Sequence, residues 1–319
     1  MGRRSKWCVG ILVLGATLLS GCATSPSGNG VPALRVTSPA GQSSILLGSV
    51  HAGVEGLRQP DAAALFRDAR SYVVESMPEE GPRPPARPLT YGLLDENGNL
   101  ARARWARGLD SREVDLLAER VKCNLSLYDS TSPKRAAEVL LAMADPLSVS
   151  EVAIRRCMSE GVQSRDALLA LAAAERGVPT FGLELQSEVE PRRRNVREDI
   201  YVQRVKLALA PNNDEAMFQA GKALNVGDYD AIMSQMAVGI SRSDYEEYRR
   251  LMIDDRNEAW LDRLQVHLLE GNAVINVGAA HLAGEKGLIA LLRAKGYRVD
   301  RIFLAAEGMT GQAAVPASG

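Results

Sequence analysis

The sequence predicts an α/β fold: a mixed sheet with flanking helices and an inserted helical subdomain. Short apolar or β-branched runs alternate with helical patterns along much of the chain, as expected for strands connected by helices. Two runs near the N-terminus are joined by the turn composition PAGQ, which predicts a hairpin. The helical patterns that carry Cys123 and Cys157 predict a helical insertion between strands, and from Gln186 to about Leu269 the pattern is again helical throughout.

The first 21 residues have the pattern of a bacterial lipoprotein signal peptide. A basic start is followed by an apolar stretch, Trp7 to Leu19, that is too short to span a bilayer. The segment LSGC, ending at Cys22, resembles a lipobox. We therefore expect Cys22 to carry acyl chains such as palmitate and to become the N-terminus. A plain signal peptide with a chance cysteine is the alternative.

Ala23, rather than an aspartate, follows that cysteine, and the lipoprotein sorting pattern then implies the outer membrane, on its periplasmic face. Residues 22–33 are rich in Ser, Gly and Pro and predict a flexible tether, whereas residues 34–304 predict the folded domain. The small, polar residues 305–319 predict a disordered tail.

The charge balance argues against nucleic acid as a partner. Loss of the three basic residues of the signal changes the formal charge from −1 to −4, and no basic run remains. No other apolar run is long enough to cross a membrane, so we expect the lipid anchor to be the membrane contact. Cys123 and Cys157 remain after Cys8 and Cys22 are set aside. An even pair in an oxidising periplasm predicts a disulfide, and two separate buried thiols are the alternative.

The elements follow in order. LRVTS and SSILLGSV predict the hairpin, QPDAAALFRDARS predicts a helix beginning near Asp61, and YVVESM predicts a buried strand that Pro78 ends. Asp110 and Glu113 have the spacing of a capping box, and Ser132 with Pro133 predicts the start of another helix. A further helix is expected in SEVAIRRCMSEG.

The second half of the domain repeats the alternation. SRDALLALAAAERG predicts a helix ended by Gly177, and VPTFGLE predicts a short strand. After the helical stretch, NAVINVGAAH predicts a buried strand, EKGLIALLRAKG a helix and YRVDRIFL a last strand.

Four polar residues stand at the carboxyl ends of predicted strands: His51, Glu75, Glu184 and His281. Ligands bind at that edge of open α/β sheets, so strands that share a direction would bring the four together. Each residue alone could be a cap or a turn residue, but two of the three histidines of the chain occur in this set. Imidazoles with carboxylates suit zinc, manganese, cobalt or iron. His267 lies in a polar helical pattern and is expected to be structural or solvated.

The blocks GSVH, VVES, GLELQSE, DDRNEAWLDRL and NVGAAHLAGEKGLIALLRAKGYRV occur in that order and resemble the TraB/GumN family, which is related to the Tiki metalloproteases. The resemblance covers about residues 34–304, and its last block is the most specific. The family motifs fall on Gly48–His51, Glu75, Gly182–Glu184, Arg256–Asn257 and Gly278–His281. Ser49 stands where the family usually has Thr. Asp166 matches a family Gly-Ile-Asp, although Ser164 and Arg165 replace its neighbours.

The resemblance implies a core shared with erythromycin-esterase-like and haem-binding ChaN-like proteins and, from the Tiki branch, metal-dependent peptide hydrolysis. In the mechanism we expect, His51, Glu75 and His281 hold a divalent ion (Mn, Co or Zn) that activates water. Glu184 would act as general base and Arg256 would stabilise the oxyanion. An ion pair from Arg256 to Glu75 or Glu184 is the alternative for that arginine.

Two other classes of function stay open. One is a metal-free esterase in which His51 itself is the base. The other is a lipoprotein that binds haem, metal or an envelope polysaccharide without turnover. The expected substrate is a peptide or an envelope polymer, the latter by association only.

Overall fold

The structure is a computed structural model that describes residues 30–78, 100–124, 132–155, 162–211 and 213–307. Its strands form one mixed six-stranded sheet in the order β4-β3-β5-β2-β1-β6. The strands are β1 (Val31–Thr37), β2 (Ser43–Ser49), β3 (Ser71–Met77), β4 (Thr180–Leu185), β5 (Ala273–Gly278) and β6 (Arg298–Leu304). The predicted mixed sheet with flanking helices is confirmed.

Four neighbouring strands of the sheet run in one direction. β2 pairs in parallel with β5, β5 with β3, and β3 with β4, whereas β1 runs antiparallel to both β2 and β6. The predicted hairpin is therefore present, and Gly41 in its turn has a φ of 86°, a left-handed conformation that glycine adopts easily. The carboxyl ends of the four parallel strands meet at one edge of the sheet.

Helices connect the strands. They are α1 (Ala62–Leu65), α2 (Ser111–Asn124), α3 (Pro133–Met143), α4 (Pro146–Ile154), α5 (Arg165–Glu175), α6 (Gln186–Asn195), α7 (Glu198–Ala208), α8 (Asn213–Val226), α9 (Tyr229–Gln235), α10 (Arg242–Arg249), α11 (Asp255–Glu270) and α12 (Leu288–Ala294). Between α10 and α11 the residues Arg250–Asp254 form a π-helical turn. The capping box of Asp110 and Glu113 is present, with donor–acceptor distances of 2.7 and 2.8 Å.

Apolar side chains pack on both faces of the sheet. On one face, Trp260 and Leu264 of α11 pack with Ile275 and Val277 of β5. On the other, Leu169 of α5 packs with residues of β2 and β3. All six residues of β5 are buried, which explains its nearly continuous apolar sequence.

A separate core lies within helices alone. It is formed by α2, α3, α4 and α7, and Leu117, Leu141 and Val205 are fully buried there. This is the inserted helical subdomain, but its helices come from both sides of β4 in sequence. The stretch after Gln186 therefore contributes one helix to it, while α8, α9 and α11 pack on the sheet.

Two predicted boundaries are corrected. β1 begins at Val31, so residues 31–33 belong to the sheet rather than to the tether; Val31 is fully buried against the core. Residues 305–307, predicted as tail, are tied to the segment before α1: Asp61 N donates to Ala305 O (2.8 Å) and Glu307 N donates to Gln59 O (2.9 Å). These bonds extend the ordered chain past β6.

Several predicted features lie outside the described residues: the signal peptide with Cys22, the tether before residue 30, and residues 308–319. Cys123, in α2, is disulfide-bonded, and Cys157 lies outside the described residues, so the pairing of the two stays a prediction. In the part of the chain that is described, no helix has both the length and the apolar character needed to cross a bilayer.

Candidate active site

The shared edge of the parallel strands gathers the polar residues predicted to form a site. His51 follows β2, Glu75 lies in β3, Glu184 lies in β4, and His281 ends a short 3-10 turn directly after β5. Arg256 reaches the same place from the first turn of α11. The structure thus brings together the five residues to which the sequence assigned metal-binding or catalytic roles.

His51 lies between two carboxylates. Its Nδ1 is 3.1 Å from Asp166 Oδ1 and its Nε2 is 3.2 Å from Glu75 Oε1. The backbone at His51 has a φ of 53°, unusual for a residue other than glycine, and its N–H donates to Ser49 Oγ at 3.1 Å. The side chain is 54% exposed, so the site opens to solvent here. Loss of water from the part of the ring that faces the protein opposes its charged form, but Glu75 and Asp166 outweigh that effect and raise the pKa of His51 well above its ordinary value.

Asp166 orients that imidazole. It sits in the first turn of α5, where it also accepts from Ser49 Oγ and, at 2.9 Å, from Asn276 Nδ2 of β5. Burial raises the pKa of Asp166, but hydrogen bonds from His51 and Ser49 and the charge of His51 outweigh it, so the net shift is downward. The carboxylate that the sequence matched only by family motif is thus a direct partner of His51.

Glu75 is the centre of the site. Its Oε1 accepts from Gly278 N at 2.5 Å, and its Oε2 accepts from Arg256 Nη2 at 2.8 Å. Burial opposes ionisation, but the charge and hydrogen bond of His51 and the charge of Arg256 hold the pKa of Glu75 well below its ordinary value. A Cβ on Gly278 would lie 2.8 Å from His51 Nε2 and 2.9 Å from Glu75 Oε1, so only glycine leaves room for this arrangement.

His281 lies deeper, with 3% of its side chain exposed. Its Nδ1 is 2.7 Å from Asn257 Oδ1, while its Nε2 is 3.3 Å from Arg256 Nη1 and 3.8 Å from Glu75 Oε1. Its ring packs on Trp260 with centroids 4.4 Å apart. Burial lowers the pKa of His281 to about 3, so the ring is neutral at neutral pH and the positive charges that act on Glu75 are His51 and Arg256.

Arg256 joins the two glutamates. Its Nε donates to Glu184 Oε1 at 2.9 Å, its Nη2 donates to both Glu184 and Glu75, and its Nη1 donates to Met252 O at 3.0 Å. Met252 belongs to the π-helical turn, a local widening of the helix that is frequent at functional sites. The ion pair that the sequence left as the alternative role of Arg256 is therefore present, with both candidate partners.

The arrangement can be tested against the expected metal. As placed, the side chains do not make a ready metal centre: among the described residues, no group of three or more His, Cys, Asp or Glu is positioned to hold an ion. The donor set nevertheless suits one. Both Nε2 atoms approach the same oxygen of Glu75, at 3.2 and 3.8 Å, and ligands about 2.1 Å from one ion lie within about 4.2 Å of each other. For His281 Nε2 to bind an ion, Arg256 Nη1 would have to give up its hydrogen bond to that nitrogen.

Sequence reasoning gave no role to Asn257, Ser49 or Asn276. Asn276 did carry a signal, because it is the one polar residue in the apolar run AVINV of a central strand. Asn257 stands in the Arg256–Asn257 motif of the family resemblance, which singled it out without indicating what it does. His267, in contrast, lies away from this cluster, with its ring 4.9 Å from that of Phe181.

Comparison with protein families gives a match over most of the chain. The model of the TraB/PrgY/gumN family matches residues 33–301, a range that contains every residue of the cluster. Comparisons with curated proteins and with solved structures found no match. The likeness to erythromycin-esterase-like and ChaN-like cores stays an expectation.

Proposed function

This chain belongs to the TraB/PrgY/gumN family, and we propose that it is a metal-dependent hydrolase of the peptidase type at the cell envelope. One observation carries the proposal: the Nε2 atoms of His51 and His281 both face Glu75 Oε1, while the Nδ1 of each ring is held by a side-chain oxygen. Histidines that bind metals are held through the second ring nitrogen in this way.

His51, Glu75 and His281 would hold the ion. A divalent ion of the manganese, cobalt or zinc type, when bound, polarises a carbonyl and lowers the pKa of a water toward neutrality. Asp166 keeps the His51 ring in place through Nδ1. Gly278 keeps the gap between the ligands free of side-chain atoms and donates its N–H to Glu75.

The remaining polar groups supply proton transfer and charge. Glu184 is buried, 4% exposed, shares the Arg256 guanidinium with Glu75, and would take the proton from the attacking water. Arg256 would stabilise the oxyanion, since its Nη1 already points to the edge of the site where His281 Nε2 lies. Once Nη1 has left His281 Nε2 to the ion, the ion pairs with Glu75 and Glu184 would keep the guanidinium beside the site.

The structure does not favour a metal-free reaction with His51 as base. A general base must be unprotonated at working pH, whereas two carboxylates stabilise the protonated form of this ring. Binding without turnover stays open as an outcome of the test.

The test is to purify the chain after growth with manganese, cobalt and zinc, to measure bound metal by elemental analysis, and to assay a peptide library. We expect His51→Ala and His281→Ala to lose metal and activity together while circular dichroism stays unchanged. His267→Ala, which removes the histidine outside the cluster, should keep both.

Full metal content in His281→Ala, or wild type without metal under all three growth conditions, would contradict the proposal. If the protein holds metal but hydrolyses no peptide, the result would indicate a protein that binds without turnover.

A further inference from the structure

We infer that Asn257 is a positioning residue that fixes His281 in the tautomer with hydrogen on Nδ1 and thereby keeps Nε2 bare toward Glu75. Asn257 is fully buried, with 0% exposure, and lies directly after Arg256 in the first turn of α11. The effect on metal affinity rests on the proposed function, whereas the tautomer does not.

The orientation of the Asn257 amide follows from its neighbours. Its Nδ2 donates to two carbonyl oxygens, of His281 at 3.1 Å and of Lys286 at 2.8 Å. An amide NH₂ has two hydrogens, so both are used. The flipped amide would set its oxygen against two carbonyl oxygens and remove the donor of the buried His281 carbonyl and of the partly buried Lys286 carbonyl, which is unfavourable.

The tautomer of His281 follows from that orientation. With Nδ2 on the carbonyls, Oδ1 of Asn257 faces His281 Nδ1 at 2.7 Å. An amide oxygen only accepts, so Nδ1 must carry the hydrogen. In the neutral ring Nε2 then has a free lone pair, and Arg256 Nη1 donates to it at 3.3 Å. Two neighbouring residues of one helix turn thus specify both nitrogens of one imidazole.

The same amide also fixes the backbone that carries the ring. By bonding the carbonyls of His281 and Lys286, Asn257 ties the two ends of the segment 281–286, between β5 and α12, to α11. One side chain therefore sets both the position and the tautomer of His281. The hydrogen bonds of Asn257 keep the imidazole in this orientation when Arg256 moves away from Nε2.

The tautomer can be read directly. We would label histidine with ¹⁵N in the full chain, remove metal with a chelator, and record long-range proton–nitrogen correlations of the three rings at neutral pH. Loss of signals in His281→Gln assigns the ring. We expect wild-type His281 as the Nδ1–H form, with Nε2 unprotonated. An Nε2–H form or a doubly protonated ring in wild type would overturn the inference without any Asn257 variant.

Variants then test the cause. Asn257→Leu removes the acceptor, so the Nε2–H form should appear, whereas Asn257→Asp keeps an acceptor for Nδ1 and should retain the Nδ1–H form. Asn225→Leu is the matched control, because Asn225 also clamps a loop, through Gly56 O and Arg58 N, but contacts no histidine. Pure Nδ1–H in folded Asn257→Leu would overturn the inference.

Metal titration separates this result from the proposed function. If the protein binds manganese, cobalt or zinc, Asn257→Leu should bind about 10- to 100-fold more weakly, the range typical for loss of a residue that orients a ligand. If wild type binds none of these ions, the proposed function fails while the tautomer result stands.

Discussion

Gly278 is the point at which the backbone of β5 meets the site. Its N–H donates to Glu75, and its missing Cβ lets His51 and Glu75 approach each other across the strand end. The same residue therefore supplies a donor and the space in which the three proposed ligands meet.

We predict that Gly278→Ala lowers bound metal and hydrolysis by tenfold or more, about 1.4 kcal/mol or above in binding, because the methyl group would push His51 and Glu75 apart. Elemental analysis and circular dichroism would follow metal and fold. Gly108→Ala is the control, since only Lys206 Nζ, at 3.6 Å, lies near the added methyl. Unchanged metal content in Gly278→Ala would show that the gap is not the ligand site.

Asp166 sets the charge state of His51 in the metal-free protein. Burial works against the charged ring, and Glu75 and Asp166 overcome it, so the pKa of His51 lies well above 6.5. Loss of one carboxylate removes part of that support.

Asp166→Asn should therefore lower the pKa of His51, as followed by nuclear magnetic resonance titration of its ring without metal. The raised pKa also adds stability that is fully present below about pH 6.5 and is lost as pH rises through the folded-state value. As pH rises from about 6.5 through the folded-state pKa of His51, the melting temperature of metal-free wild type should decline more than that of Asp166→Asn. Equal pKa values of His51 in the two proteins would exclude the Asp166 contact.

At the residue scale, the sequence could predict that the residues at the strand ends come together, because the carboxyl ends of parallel strands lie at one edge of the sheet whatever the strand order. It could not predict which acceptors hold the imidazoles. Asp166 and Asn257 lie on helices, and their contacts with His51 and His281 span 115 and 24 residues. Such contacts depend on how α5 and α11 pack on the sheet, and local periodicity does not encode that packing.

At the scale of the elements, α6 begins directly where β4 ends, and the side chain of Glu188 stabilises this junction. Glu188 Oε2 accepts from Leu185 N at 2.7 Å, and both carboxylate oxygens pair with Arg263 of α11 at 2.7 Å. Arg263 also donates to Leu183 O of β4 at 2.7 Å. The contact therefore ties three elements together beside Glu184.

Glu188→Gln keeps an acceptor for the Leu185 N–H but loses the charge that pairs with Arg263. We expect it to destabilise the fold by about 0.2–1 kcal/mol at neutral pH, the range of exposed ion pairs. Hydrogen bonds from Arg263 and from the Leu185 N–H lower the pKa of Glu188 to about 2. The contribution is thus present above about pH 4.5 and is lost as pH falls toward 2. Urea unfolding at pH 7 and pH 3 would measure it, with the exposed Glu55→Gln as control. If the difference in unfolding free energy between wild type and Glu188→Gln grew toward low pH, it would contradict this account.

Most of the helices could be predicted from the sequence, because Ser132, Ser164 and Asp110 begin α3, α5 and α2 as caps. The π-helical turn at Arg250–Asp254 could not be predicted, since its residues fit an ordinary helix. Met252 O in this turn accepts from Arg256 Nη1, which links the turn to the site.

For the whole molecule, alternation of strands and helices predicted the class but not the order of the sheet. β5, late in the chain, lies between β2 and β3, pairings that span some two hundred residues. Likewise, the helical core of α2, α3, α4 and α7 joins segments on either side of β4. Composition shows that these helices have apolar faces, but the choice of partner depends on the completed sheet.

The last prediction concerns how this domain is held at the envelope. We propose that acyl chains on Cys22 attach it to the outer membrane, because the segment LSGC that ends at Cys22 resembles a lipobox and Ala23 follows the cysteine. Two or more acyl chains give stable attachment, at about 0.8 kcal/mol for each buried CH₂. Cys22→Ser should therefore move the protein from the membrane fraction to the soluble fraction. Cys8→Ser is the control, because Cys8 lies in the segment that processing would remove. Both variants should keep the metal content of wild type. A processed Cys22→Ser protein that stays in the membrane fraction would show that a surface of the folded domain, rather than lipid, makes the contact.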